Sequence, residues 1–169
     1  MRDKRISEDQ KKNCQIAEGY LATYKTTTLG HFINGQQVDG QSGETFENTT
    51  PVDGTYLGQV SAGSPGDIDA AATAAQEAFP AWRDIKGSER RAILHNVADK
   101  IVERAEEIAF VECMDTGQPL RFMSKAAIRG SENYRYFADK APEATAGMSM
   151  PAEQHINYTV RQPIGPIGV

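Results

Sequence analysis

SERRAILHNVADKIVERAEEIAFVECMDTGQPL, residues 88–120, is the stretch on which the reading of this chain turns. Ile93, Leu94, Val97, Ala98, Ile101, Ala105, Ile108, Ala109 and Cys113 recur at the helical period, while Arg90, Lys100, Glu103, Arg104 and Glu107 take the other faces. Ser88 offers a side-chain oxygen to a free backbone N–H, and Glu89 suits the positive helix end. Gly117 accepts a left-handed cap and Pro119 cannot continue a helix, so the run stops there. At 1.5 Å per residue it reaches roughly 40 Å, and a bend near Arg104 would split it into two helices. Leu94, Val97, Ile101 and Ile108 are expected to face the core. A stripe that long needs a large partner surface.

Downstream, Met123, Ala126, Ala127, Gly130, Tyr134, Phe137, Ala138 and Ala141 keep helical spacing as far as Pro142. Gly130 disfavours a helix by about 1 kcal/mol, and close packing against a neighbour is the expected reason for it. Residues 144–154 read as loop. Ile156, Tyr158 and Val160 then alternate with Asn157, Thr159 and Arg161, the pattern of a half-buried strand. IGPIGV, residues 164–169, reads as the entry to a fully buried strand of a parallel sheet. The chain stops as that strand begins, so the expectation is an incomplete α/β unit.

Upstream, Ser64-Pro65 opens a helix with Asp67 in its first turn and a stripe of Ile68, Ala71, Ala72, Ala75, Phe79 and Trp82. Pro80 is expected to end or kink it. TFENTT and TYLGQV flank the turn PVDG, which predicts an antiparallel hairpin over 45–60. Asn34-Gly35 predicts a tighter hairpin, because both positions accept positive φ. Residues 1–30 read as an N-terminal tail: the charge run MRDKRISEDQKK, the linker KTTTLG, and room between them for a short amphipathic helix in NCQIAEGYLATY.

Eighteen basic residues against 23 acidic give a net charge of −5 with no basic stripe, which argues against nucleic acid as a partner. Cys14 and Cys113, the only cysteines, lack metal-type spacing and fit a reduced, cytoplasmic setting. No apolar run has the length of a membrane span, and residues 1–12 are charged with no hydrophobic region behind them, so no signal peptide is expected.

Six segments, FINGQQV (32–38), TTPVDGTYLGQV (49–60), AATAAQEAFPAW (71–82), ERRAILHNVADKIVERAEEIA (89–109), CMDTGQPL (113–120) and NYTVRQPIGPIGV (157–169), resemble in this order the aldehyde dehydrogenase superfamily. The resemblance covers roughly 32–169. IRGSENYRYFADKAP (128–142) and the last segment lean towards the branch with hydroxymuconate semialdehyde and betaine aldehyde dehydrogenases. The resemblance implies an α/β fold of β-hairpins and helices from a Rossmann-like cofactor-binding domain (31–145). An oligomerisation-strand segment (146–163) and a truncated start of a nucleotide-fold strand (164–169) would follow it.

It also implies NAD- or NADP-dependent oxidation of an aldehyde or semialdehyde to the carboxylic acid. In the family a cysteine thiohemiacetal passes hydride to the nicotinamide, and a glutamate-activated water hydrolyses the thioester. The family's Pro-Trp-Asn segment, cofactor lysine, pyrophosphate glycine motif, catalytic glutamate and nucleophilic cysteine have no counterpart in these residues. No catalytic or cofactor-binding residue is therefore assigned. The expected object is an N-terminal fragment, inactive alone, of an enzyme that forms a homo-oligomer. The rival is a catalytically dead module that binds full-length subunits through 156–163. Uncovered apolar stripes predict that the isolated chain is loosely packed or aggregates, keeping helix without a cooperative melt.

Cys113 lies on the apolar stripe with no basic residue closer in sequence than Arg121, and reads as a buried structural thiol rather than a nucleophile. His31, His95 and His155 are too scattered for a metal set. Residues 163–168 are glycine-rich, but no helix follows to offer its N-terminus to a phosphate. Asp115 has two readings. By the resemblance it would hold a monovalent cation together with backbone oxygens near Thr49; otherwise it hydrogen-bonds N–H groups around Gly117, and the second reading is preferred.

Overall fold

The computed structural model describes residues 7–144 and 146–168. The first six residues of the charge run, Thr145 in the expected loop and Val169 of the expected strand entry lie outside the described residues. Five α-helices and three β-hairpins follow one another: α1 (Glu8–Thr26), β1 (His31–Ile33), β2 (Gln36–Val38), β3 (Thr45–Thr49), β4 (Tyr56–Ser61), α2 (Pro65–Asp84), α3 (Gly87–Glu103), α4 (Ala105–Thr116), α5 (Leu120–Lys140), β5 (Ser149–Pro151) and β6 (Ile156–Tyr158).

The organising stretch breaks where its sequence allows. Arg104, with φ −105° and ψ 15°, separates α3 from α4, and Gly117 closes α4 in the left-handed region at φ 73°. Ser88 is not the cap. It sits inside the first turn, because α3 starts one residue earlier behind Lys86, whose carbonyl accepts from the N–H groups of Glu89 and Arg90. α5 returns along α3 and α4, and Ala98, Ala109, Met123, Ala127, Ser131 and Ala138 are buried between them. Alanines at the crossing let the helix axes come close.

The stripe expected to face the core is only partly covered. Leu94, Ile101 and Ile108 are half-buried, Val97 is exposed, and Ile93, Val97, Ile101 and Ile108 line an open groove. The buried side of α3 is the Ala98 side, because α5 is the neighbour that this chain supplies.

Residues 1–30 are not a tail throughout. α1 runs for 19 residues, with the Ser7 side chain accepting from the Gln10 N–H and Glu8 and Asp9 in its first turn. It packs on α4 and β4 and buries Ala17 and Leu21. Its apolar face, Cys14, Ala17, Leu21 and Tyr24, has helical spacing but is diluted by lysine and glutamate. Where α1 meets β4 the backbones touch: a Cβ on Gly58 would collide with the Tyr24 carbonyl oxygen.

Both expected hairpins are present. Asn34 and Gly35 take φ 51° and 74° at the β1–β2 turn, and β3 pairs with β4 from Thr45↔Ser61 to Thr49↔Tyr56, with a register shift between Asn48 and Thr49. Gly54 supplies the positive φ of the intervening turn. A short parallel bridge joins Leu29 to Val60.

At α2 the Ser64–Asp67 capping box forms in full: the Asp67 carboxylate accepts from Ser64 N–H (2.8 Å) and Oγ (2.7 Å), and from Gln41 N–H (3.1 Å). Pro80 does not end the helix, for α2 continues to Asp84. Proline cannot donate to the carbonyl four residues back, on Gln76, and Gln76 is exposed. Of the α2 residues only Asp67 is buried, and Ile68 is 66% exposed.

Gly130 has no close neighbour, since an added Cβ would meet nothing within 4 Å, and nothing in the structure explains a glycine there. The expected loop over 144–154 contains β5, which pairs with β6 in the register Met150↔Asn157. The expected half-buried strand is shorter and wholly exposed, because nothing among the described residues lies over either face. Residues 159–168 carry no regular structure, and Ile164 is 96% exposed rather than buried.

Candidate functional site

Three places gather chemistry-bearing side chains. The first is a cleft of about 260 Å³ between α1, the β3–β4 hairpin and α4, walled by Leu21, Tyr24, Leu57, Val60 and Val111. Asn48 and Asp115 stand at its polar edge, and the Asn48 amide donates to Asp115 Oδ1 at 2.7 Å. The register shift next to Asn48 turns that side chain towards α4. Asp115 is thus met by Asn48. Thr49, its predicted companion, is the next residue along β3 and is exposed. The Gln118 N–H near Gly117 donates to Thr116 Oγ1 rather than to Asp115.

The second place is a charged clamp between α3 and α5. Asp139 Oδ1 accepts from Arg91 Nε at 2.7 Å and lies 2.9 Å from His95 Nε2. Arg135 joins Asp99 at 2.6 Å and reaches His95 Nδ1 at 3.4 Å. These partners hold the Asp139 carboxyl below the usual carboxylate range, His95 contributing most, then Arg91. His95 is therefore held in the contact between α3 and α5. Two facing rows at four-residue spacing, Arg91-His95-Asp99 and Arg135-Asp139, were the signal available in the sequence. His31, by contrast, stands 3.7 Å from Asp67, and His155 is exposed. Among the described residues no three His, Cys, Asp or Glu side chains gather as a metal set.

The third place is the contact of α1 with α4. Cys113 is half-buried there, beside exposed Cys14. Burial pushes its thiol up, a hydrogen bond from the Leu120 N–H partly offsets this, and the neighbouring Cys14 adds to the rise. A nucleophilic cysteine needs the opposite shift, so the geometry keeps Cys113 a thiol. Residues 163–168 reach no helix N-terminus among the described residues.

Known proteins give this arrangement its family. The profile described as "Aldehyde dehydrogenase family" matches residues 37–169, and the chain belongs to that family. It is 41% identical over 147 residues to the 2-hydroxymuconic semialdehyde dehydrogenase of Pseudomonas sp. (strain CF600), an alignment covering 83% of this chain and 30% of that one. The crystal structure of HpcC from Thermus thermophilus superposes with a TM-score of 0.85 at 35% identity, covering 89% of this chain and 30% of that one. PnpE, solved in complex with nicotinamide adenine dinucleotide, superposes at 0.74 with 34% identity, covering 80% and 28%. The chain thus spans about 30% of the length of these relatives and matches their N-terminal part. No helix among the described residues is long and apolar enough to cross a membrane.

Proposed function

We propose that these residues supply the N-terminal part of an NAD- or NADP-dependent aldehyde dehydrogenase that oxidises a semialdehyde to its carboxylic acid, in the cytoplasm and as a homo-oligomer. In that reading 31–145 belong to the cofactor-binding domain, 146–163 to the oligomerisation strand and 164–169 to the first nucleotide-fold strand. The observation that carries it is surface area. The chain exposes 13001 Å² at 18.5 kDa, where a compact monomer of that mass exposes about 8,200 Å². Much of the excess is apolar: Ile68, Trp82, Val97, Met150 and Tyr158 are all exposed. Such faces have their place against the remaining two-thirds of a longer protein.

The nicotinamide cofactor would supply the hydride acceptor. No residue described here is assigned to hold it, since 163–168 lack the helix N-terminus that a pyrophosphate needs. What this chain contributes is a framework, α3 to α5 clamped by Asp139. A monovalent cation between Asp115 and the backbone at Thr49 belongs to the same reading. It would displace the Asn48 amide, and potassium-dependent thermal stability lost in Asp115→Asn is its test. The rival module, binding through 156–163, draws on the exposed edge of β6.

One experiment separates the two. The chain alone is expected to reduce neither NAD nor NADP with aldehyde, and Cys113→Ser to leave that blank unchanged. Supplied in trans with the complementary C-terminal part of a semialdehyde dehydrogenase, it is expected to restore aldehyde-dependent absorbance of the reduced cofactor. A stable complex with full-length subunits, combined with no turnover in the split pair, would replace this reading by the module.

A further inference from the structure

The two cysteines lie in different helices, far apart in sequence, yet the fold brings them level. α1 and α4 run antiparallel: Tyr20 of α1 donates to Glu106 at 2.7 Å and lies 6.2 Å, centroid to centroid, from Phe110. Cys14 lies six positions towards the start of α1 from Tyr20, so it faces the part of α4 six positions beyond Glu106 and Phe110, residues 112–116. Cys113 falls in that window. The cavity between the helices agrees, for Cys14 and Cys113 line the same space of about 310 Å³ with Ala17, Phe110 and Met114. Buried Ala17 keeps the helices close. Neighbouring helix axes pack ~8–10 Å apart, and side chains that line one space between them can meet within the ~4.4–6.8 Å Cα separation a disulfide spans.

We propose that Cys14 and Cys113 form a reversible oxidation site, in which a disulfide staples α1 to α4. The roles follow from exposure. Cys14 is open to solvent and meets the oxidant, a peroxide; Cys113 is half-buried and resolves. The Cys14 thiolate attacks the peroxide oxygen, the O–O bond breaks, and Cys14 becomes a sulfenic acid as hydroxide leaves and takes up a proton. The Cys113 sulfur then loses its proton, attacks the Cys14 sulfur and expels the hydroxyl as water. Two thiols and one hydrogen peroxide give one disulfide and two waters. Half-burial shields Cys113 from direct oxidation until its partner has reacted. Cys14 precedes residues 37–169, the part that the family model matches.

The test takes the monomeric fraction of the dilute, purified chain, separated by sedimentation, with α1 shown to be protected from amide exchange. It treats that fraction with equimolar hydrogen peroxide and follows thiols, non-reduced peptides and amide exchange. Both thiols are expected to disappear together, with one peptide pair joining Cys14 to Cys113 within a monomer, and dithiothreitol restoring both. Closing a loop of about a hundred residues should slow amide exchange in α1 roughly tenfold or more. In Cys113→Ser, Cys14 should accumulate as a sulfenic acid that dimedone traps. Three results would overturn the site: linkage between chains, wild-type sulfenic acid at the level of the Cys113→Ser variant, or cross-linking as fast in concentrated guanidinium chloride as in buffer.

Discussion

The bundle of α1, α3, α4 and α5 differs from α2 and the β5–β6 hairpin in where their apolar faces point. The first group closes around a shared set of mostly small side chains, leaving one face of α3 and α4 as an open groove. Ala17, Leu21, Ala98, Ala109, Phe110, Met123, Ala127 and Ala138 are buried there, and the Asp139 clamp ties α3 to α5 across it. The second group is equally regular and almost uncovered. α2 buries only Asp67, and every residue of β5 and β6 is exposed. A strong local signal forms an element without finding it a neighbour, and the two regions show how far each can be carried without tertiary contacts.

That contrast breaks most visibly at Phe110. Phe110→Ala removes a buried ring between α1 and α4 and is expected to destabilise the bundle by about 3–5 kcal/mol, read as lost amide protection in both helices. Less than half a kcal/mol would mean that α1 is not docked. A smaller effect is expected at the start of α2. Ser64→Ala deletes the cap and should weaken α2 by about 0.5–2 kcal/mol, confined to α2 if that helix stands apart from the bundle.

The clamp gives a weaker effect, because its groups are half open to water and salt screens them. The native Asp139 carboxyl sits below its unfolded range, so the native state favours the charged form. Its contribution is full above the ordinary aspartate range and lost as pH falls through that range and below. Protection of α3 and α5 should fall across that window, and Asp139→Asn should remove the part due to the clamp. An unchanged profile in the variant would leave the clamp without energetic weight. Smallest of all is Ile68→Ala. With its side chain in water it should change the isolated chain by less than about 0.5 kcal/mol. In the complete protein the same change is expected to cost more, and equal values in both would deny α2 any covering partner.

Legibility in the sequence follows the reach of each signal. The Arg104 break, the Gly117 stop, the Asn34-Gly35 turn and the Ser64–Asp67 box were readable because each is settled within about four residues. α1 was underread, since its thin apolar face gains its worth from α4 and β4. Val97 and Ile164 were placed inside because apolarity was taken for burial, which needs a neighbour that this chain does not supply. The pairing of Asp115 with Asn48 crosses 67 positions, and no local pattern announces it. The family, in contrast, was legible from six short segments in order, each weak alone.

Gly58 sets an order of events. The β3–β4 hairpin joins near neighbours in sequence and closes in about 1–10 μs, whereas α1 docks through contacts such as Tyr20–Glu106, 86 positions apart. The bare backbone at Gly58 is a berth that exists only once β4 is laid in its ladder, and the Tyr24 carbonyl settles into it. α1 is therefore expected to dock only after the β3–β4 hairpin has closed. During synthesis α1 has to wait, without its α4 contacts, until α4 has emerged.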